Sequence, residues 1–168
     1  RRLLLDQWVY QPGLPANAAR PDPAAFATVD RAVQAFRAGG AAAAIPYGDW
    51  NTAERIRFVN GLPRELSTAR LTELDQAFDL SSTGNSEVLF AWLHLAIPNR
   101  YEPAIPAVER FLTSQGRRKF VAPLFEDLVG QGDWGRRIAE RIYRTARPTY
   151  HSVTSNTVDR ILAGDAAG

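Results

Sequence analysis

At 168 residues the chain has room for one domain with a substantial core and too little for two. Hydrophobic residues make up 45% and charged residues 23%, the values of a soluble globular domain, and no apolar run approaches the roughly 18 uncharged residues of a membrane-spanning helix. The net charge of +2 is carried almost wholly by arginine, Lys119 being the only lysine, and gives little electrostatic footprint for nucleic acid; neither nucleic acid nor membrane is expected as a partner.

Cysteine is absent, which rules out disulfides and thiolate metal sites and leaves the compartment open, with the cytoplasm slightly favoured. Methionine is absent too, so the chain is expected to be a fragment or a processed product. Its opening, residues 1–22, holds Tyr10-Gln11-Pro12-Gly13-Leu14-Pro15 and Pro21-Asp22-Pro23. It reads as a connector from an upstream domain, with Trp8, Tyr10 and Leu14 as apolar groups that such a domain would cover. The helical domain is expected over 23–168.

From there helical periodicity dominates. Phe26, Val29, Val33 and Phe36 form one apolar stripe between Asp22-Pro23, a start signal, and Gly39-Gly40, a stop. A second helix is expected after Asp49, with Ala53, Ile56 and Val59 inward. A third follows Ser67 as its cap, with Leu71, Leu74 and Phe78 inward. The segment after Asn85 carries Val88, Leu89, Phe90, Trp92, Leu93, Leu95, Ala96 and Ile97 and leaves almost no polar face, so it belongs in the middle of the protein. Pro98 ends it.

A helix over about 103–115 shows Ile105, Val108 and Leu112 and stops at Gly116. The next, with Leu124, Phe125, Leu128 and Val129, is expected to begin between 119 and 123, because Pro123 fits best in a first turn. Asp133 should cap a helix with Trp134, Ile138 and Ile142 on one face. Pro148 ends that helix, and a last one near 153–162 carries Val158, Ile161 and Leu162. No stretch alternates with period two between hairpin signals. The chain is therefore all-α, with eight or nine helices. Short connections make them a two-layered right-handed α-α superhelix of the armadillo or HEAT kind.

A self-contained active site is hard to find. His94 and His151 are too far apart for an HExxH pair, and neither has a second ligand at zinc-binding spacing. His94, within the most apolar helix, reads as a buried, hydrogen-bonded structural residue, and His151 as a turn or cap residue. Glu126-Asp127 and Glu73/Asp75 are acid pairs on paper only, since adjacent acids on a helix point apart. No catalytic or metal-binding residue is assigned.

Gly116-Arg117-Arg118-Lys119-Phe120 is the one segment that asks for a chemical reason. Cations at a helix start oppose the macrodipole, whereas a bound anion would be attracted by both. From the residues alone it is either a solvated basic loop or an anion site. Arg136, Arg137, Arg141, Arg144 and Arg147 form a second basic group that reads as a solvated, stabilising face, with Asp133 and Glu140 as partners.

Five stretches, in order, resemble the C-terminal domain of leukotriene A4 hydrolase and its aminopeptidase relatives. They are Trp8-Val9-Tyr10-Gln11-Pro12-Gly13-Leu14-Pro15, Asn85-Ser86-Glu87-Val88-Leu89-Phe90-Ala91-Trp92-Leu93, Ala104-Ile105-Pro106, the run from Gln115 to Leu128, and His151-Ser152-Val153-Thr154. The resemblance implies an α-helical superhelix packed on a catalytic domain that supplies zinc, an HExxH helix and the loop holding the substrate amino terminus, none of which is in this chain. It implies no cofactor here and zinc in the parent enzyme. It also implies that Arg117 and Lys119 bind the free carboxylate of a short peptide. The parent would then be a zinc aminopeptidase, with this domain walling its cleft and inactive by itself. The rival readings are a helical-repeat scaffold for a protein partner and, less in keeping with the charge, a helical-repeat nucleic-acid binder using the Arg136–Arg147 face.

Overall fold

The computed structural model describes residues 10, 12 and 23–164. Eight α-helices cover them: α1 (Pro23–Arg37), α2 (Thr52–Gly61), α3 (Thr68–Phe78), α4 (Ser86–Ala96), α5 (Ile105–Ser114), α6 (Arg118–Val129), α7 (Gly132–Ala146) and α8 (Ser152–Ala163). Single turns of 3-10 helix fill several connections, and no strand occurs among the described residues. No described helix is long and apolar enough to cross a membrane. Of the opening segment, Tyr10 stands exposed, while Trp8, Leu14 and Asp22 lie outside the described residues.

Helices two apart in the chain lie side by side: α2 on α4, α4 on α6, α6 on α8, and in a second layer α5 on α7, with α6 also against α7. Such i to i+2 neighbours are what a two-layered superhelix of antiparallel helix pairs requires. The apolar segment after Asn85 is the middle member of that arrangement. Val88, Ala91, Trp92, Leu93, Leu95 and Ala96 of α4 are all buried, between α2 on one side and α6 on the other. Trp92 is fully buried and still satisfies its indole N–H, which donates to Ser81 Oγ at 2.9 Å; Ser81 Oγ in turn donates to Asp75 Oδ2 at 2.7 Å.

Helix ends follow local chemistry. Ser67 caps α3 by accepting from Arg70 N, and Asn85 caps α4 by accepting from Glu87 N and Val88 N. Helix α1 ends where Gly39 takes φ +96, a conformation that needs glycine, and Gly40 N donates to Ala35 O at 2.9 Å. Expectations for three helices are refined or corrected. Helix α2 follows Asp49 as expected, and its cap is Asn51, whose side chain and Glu54 form a reciprocal capping box. Phe58 and Val59 carry its buried face, while Ala53 is exposed.

Helix α6 begins at Arg118, with Pro123 inside it as its sixth residue. The carbonyl that loses its helical partner to Pro123 is that of Lys119, an exposed residue where water can replace the bond. Asp133 lies inside the first turn of α7 and caps nothing; the residue before the helix is Gln131. The inward face of α7 is Gly135, Ala139, Ile142, Tyr143 and Ala146, with Trp134 and Ile138 only half-buried. Small residues win there because α7 approaches α6 closely. A Cβ on Gly135 would stand 1.9 Å from Leu128 O.

Candidate functional site

The basic segment sits where the end of α5, the start of α6, the start of α4 and the start of α8 meet. Four bonds converge there. Tyr150 OH donates to Leu112 O at 2.6 Å, satisfying one of the carbonyls that the last turn of α5 leaves without a partner. Gln115 Nε2 donates to Ser86 Oγ at 3.3 Å, Thr154 Oγ1 to Gly116 O at 3.0 Å, and Lys119 Nζ to Glu87 Oε1 at 2.5 Å. Thr154 is buried, so its hydroxyl is a fixed brace under the loop. His151 caps α8, accepting from Val153 N at 3.3 Å, as its reading as a cap residue required.

Arg117 occupies the N-cap position of α6 with no side-chain cap bond; its carbonyl accepts from Phe120 N at 3.0 Å and Val121 N at 3.1 Å. Its guanidinium is exposed and has no hydrogen bond or ion pair with any described residue. Arg118 is exposed as well. Lys119, two positions beyond Arg117, is engaged: its ammonium pairs with Glu87, both side chains about half exposed, and lies 4.4 Å from the centre of the Phe120 ring. Arg117 and Lys119 thus belong to one helix start, one free and one already facing a carboxylate.

The histidine and several of the acids and arginines singled out from the sequence have structural partners. His94 is half-buried rather than buried; Nδ1 lies 2.5 Å from Asp127 Oδ2 and the ring stacks on Phe90 at 5.6 Å. The two acid pairs come apart: Asp127 engages His94 while Glu126 is exposed. Glu73 accepts from Ala42 N at 2.6 Å and from Arg70, and Asp75 accepts from Ser81. In the second basic group the partners are not Asp133 and Glu140. Arg147 grips Asp159 with two bonds, Arg141 reaches Glu109 at 3.4 Å, and Arg136 donates to Leu162 O at 2.7 Å. The Arg147 pair, with a further bond from Tyr143 OH, holds the Asp159 carboxyl below its usual range.

Among the described residues no group of three His, Asp or Glu is placed to hold a metal ion. The two histidines make separate internal contacts, His94 Nδ1 with Asp127 and His151 Nδ1 with Val153 N. Two members of the site were not singled out from the sequence, Glu87 and Thr154. Each lies inside one of the five stretches that resemble the family, and both converge on 116–119.

Comparison with known proteins identifies the family and the fold. The family model "Leukotriene A4 hydrolase, C-terminal" matches residues 50–162. Mouse aminopeptidase B is 25% identical over 123 residues, covering 71% of this chain and 19% of that protein. Mouse aminopeptidase RNPEPL1 is 29% identical over 178 residues, covering 96% of this chain and 24% of that protein. The chain therefore spans about a fifth to a quarter of the curated relatives it matches. Native yeast leukotriene A4 hydrolase superposes with a TM-score of 0.65 at 20% identity, over 95% of this chain and 29% of that one, and its complex with Bestatin gives 0.63. Those structures carry the fold: an α-helical superhelix. The chain belongs to the leukotriene A4 hydrolase C-terminal domain family.

Proposed function

We infer that this domain serves a zinc aminopeptidase, lining the active-site cleft of an upstream catalytic domain and anchoring the C-terminal carboxylate of short peptides through Arg117, with Lys119 in support. The observation that carries the reading is the state of Arg117: an exposed guanidinium without a partner among the described residues, at a helix start that has no side-chain cap. A planar guanidinium and a helix N-terminus both favour a carboxylate there, and the fork of Arg117 suits it to a bidentate grip. The names of the relatives, aminopeptidase B and aminopeptidase RNPEPL1, and the Bestatin complex of the yeast neighbour support a peptidase setting. Zinc would be held outside the described residues, which offer it no ligand set. What this chain contributes is binding and orientation: an anchor at one end of the peptide fixes how far its other end reaches, and so limits substrate length. The test is turnover of tripeptides with a free or an amidated C-terminus by the intact parent protein and its Arg117→Ala variant. The reading requires a loss confined to the free acid.

A further inference from the structure

The anchor already contains a carboxylate. Glu87 Oε1 stands 2.5 Å from Lys119 Nζ; among the described residues Lys119 is the one cation of the segment with a partner, and Arg117 and Arg118 have none. Glu87 is held there by its own helix. It lies in the first turn of α4, behind the Asn85 cap and ahead of the buried Trp92–Leu93 core, so its backbone is fixed and only its side chain can move. The first turn of α4 favours its negative charge, and the first turn of α6 disfavours the positive charge of Lys119. Both helix ends therefore gain from the pair. Roughly half of each side chain remains exposed, so the pair is open to competition from solution.

We propose that Glu87 is a built-in competitor for the peptide carboxylate: it neutralises Lys119 in the resting site and thereby tunes how strongly the anchor prefers free-acid peptides. The proposal rests on the carboxylate-anchoring reading above. A peptide carboxylate arriving at Arg117 meets three cations and one carboxylate. Either it displaces Glu87 from Lys119 or it shares the ammonium with it, since Lys Nζ has three donors. In both cases the negative charge of Glu87 opposes the incoming one. Its removal as Glu87→Gln, which keeps the size and the helical preference of the side chain, leaves Lys119 fully available.

The alternative role for Glu87 is as a splint that holds Lys119 in a productive position, and it makes the opposite forecast. The experiment is steady-state kinetics of the intact parent protein on matched free-acid and amidated tripeptides, for wild type, Glu87→Gln, Lys119→Ala, the double variant and Arg117→Ala. An exposed ion pair of this kind is worth a factor of about two to five. The ratio of KM for the acid to KM for the amide should fall by that factor in Glu87→Gln, and the fall should shrink in the Lys119→Ala background. A ratio that rises in Glu87→Gln, or stays constant, overturns the proposal while an acid-specific loss in Arg117→Ala leaves the anchor standing. If Arg117→Ala affects acid and amide alike, the anchor itself is absent and the proposal falls with it. A fall in the ratio that persists undiminished without Lys119 also overturns it, because the competition would not then run through that ammonium.

Discussion

Thr154 reaches across 38 residues to donate its hydroxyl to Gly116 O at 3.0 Å, tying the start of the last helix to the loop that carries Arg117. A basic loop left to itself would sample many conformations, and an arginine at its end would hold no fixed direction. The brace makes the position of Arg117 a property of the fold. Thr154→Val, which keeps the shape and removes the donor, should cost about 0.5–1.5 kcal/mol of stability in denaturant unfolding. In the intact parent it should also narrow the gap in KM between free-acid and amidated tripeptides. The neighbouring Val153 is exposed, so Val153→Ser should stay within about 0.5 kcal/mol of wild type.

Two adjacent acids on α6 should behave differently. Asp127 is mostly buried against His94, and its loss leaves a ring nitrogen without its partner; Asp127→Ala should destabilise by about 1–3 kcal/mol. Glu126 is exposed and Glu126→Ala should be nearly silent. Thermal melts of the two variants check the pair. Equal effects would mean that the His94 contact contributes nothing.

Much of the fold was legible because apolar residues recur at helical spacing. Val29, Val33, Leu71, Leu74, Val108, Leu112, Leu124 and Val158 are all buried as expected. The errors have physical sources. On α2 the helical spacing pointed Ala53 inward, whereas Phe58 and Val59 are the residues buried. On α7 the large residues Trp134 and Ile138 suggested a face that close packing gives instead to Gly135 and Ala139, because a pattern of hydrophobicity does not report how near two backbones come. Arg117 and Lys119 are singled out as an anchor by the family resemblance, not by charge alone. The pairing of Lys119 with Glu87 was not legible, since it joins residues 32 apart on helices whose register no local pattern records.

Gly135→Ala is the direct test of that packing. The added methyl group would meet Leu128 O at 1.9 Å and Leu128 C at 2.8 Å, both backbone atoms that no side-chain rotation can move. Unfolding should become easier by about 1–3 kcal/mol or more. Gly116→Ala meets nothing within 4 Å and should be tolerated.

Alkaline pH should weaken the fold through its buried phenols. Burial, and for Tyr143 also its bond to Asp159, raises Tyr47 and Tyr143 to about 12 and raises Tyr150 as well. In the unfolded chain these groups ionise near about 10. Their contribution is therefore fully present below about pH 10 and is lost as pH rises through the folded value of about 12. Phenolate absorbance followed against pH, beside circular dichroism, should show these tyrosines ionising late and together with loss of helix. Ionisation near pH 10 with the helices intact would contradict the burial.

The central claim is that Arg117 binds the carboxylate of the substrate, and the measurement that tests it most directly is a double comparison in the intact parent protein: wild type and Arg117→Ala, each on a free-acid tripeptide and on the same peptide amidated. A charge-assisted bond of this kind corresponds to a loss of roughly 10- to 150-fold in kcat/KM for the acid. Lys119→Ala should lose less, because Glu87 already faces that ammonium. Amidation should impose a similar loss on wild type and little further loss on Arg117→Ala, since the partner charge is gone. Equal losses from amidation in both enzymes would contradict the account and return the segment to a solvated basic loop.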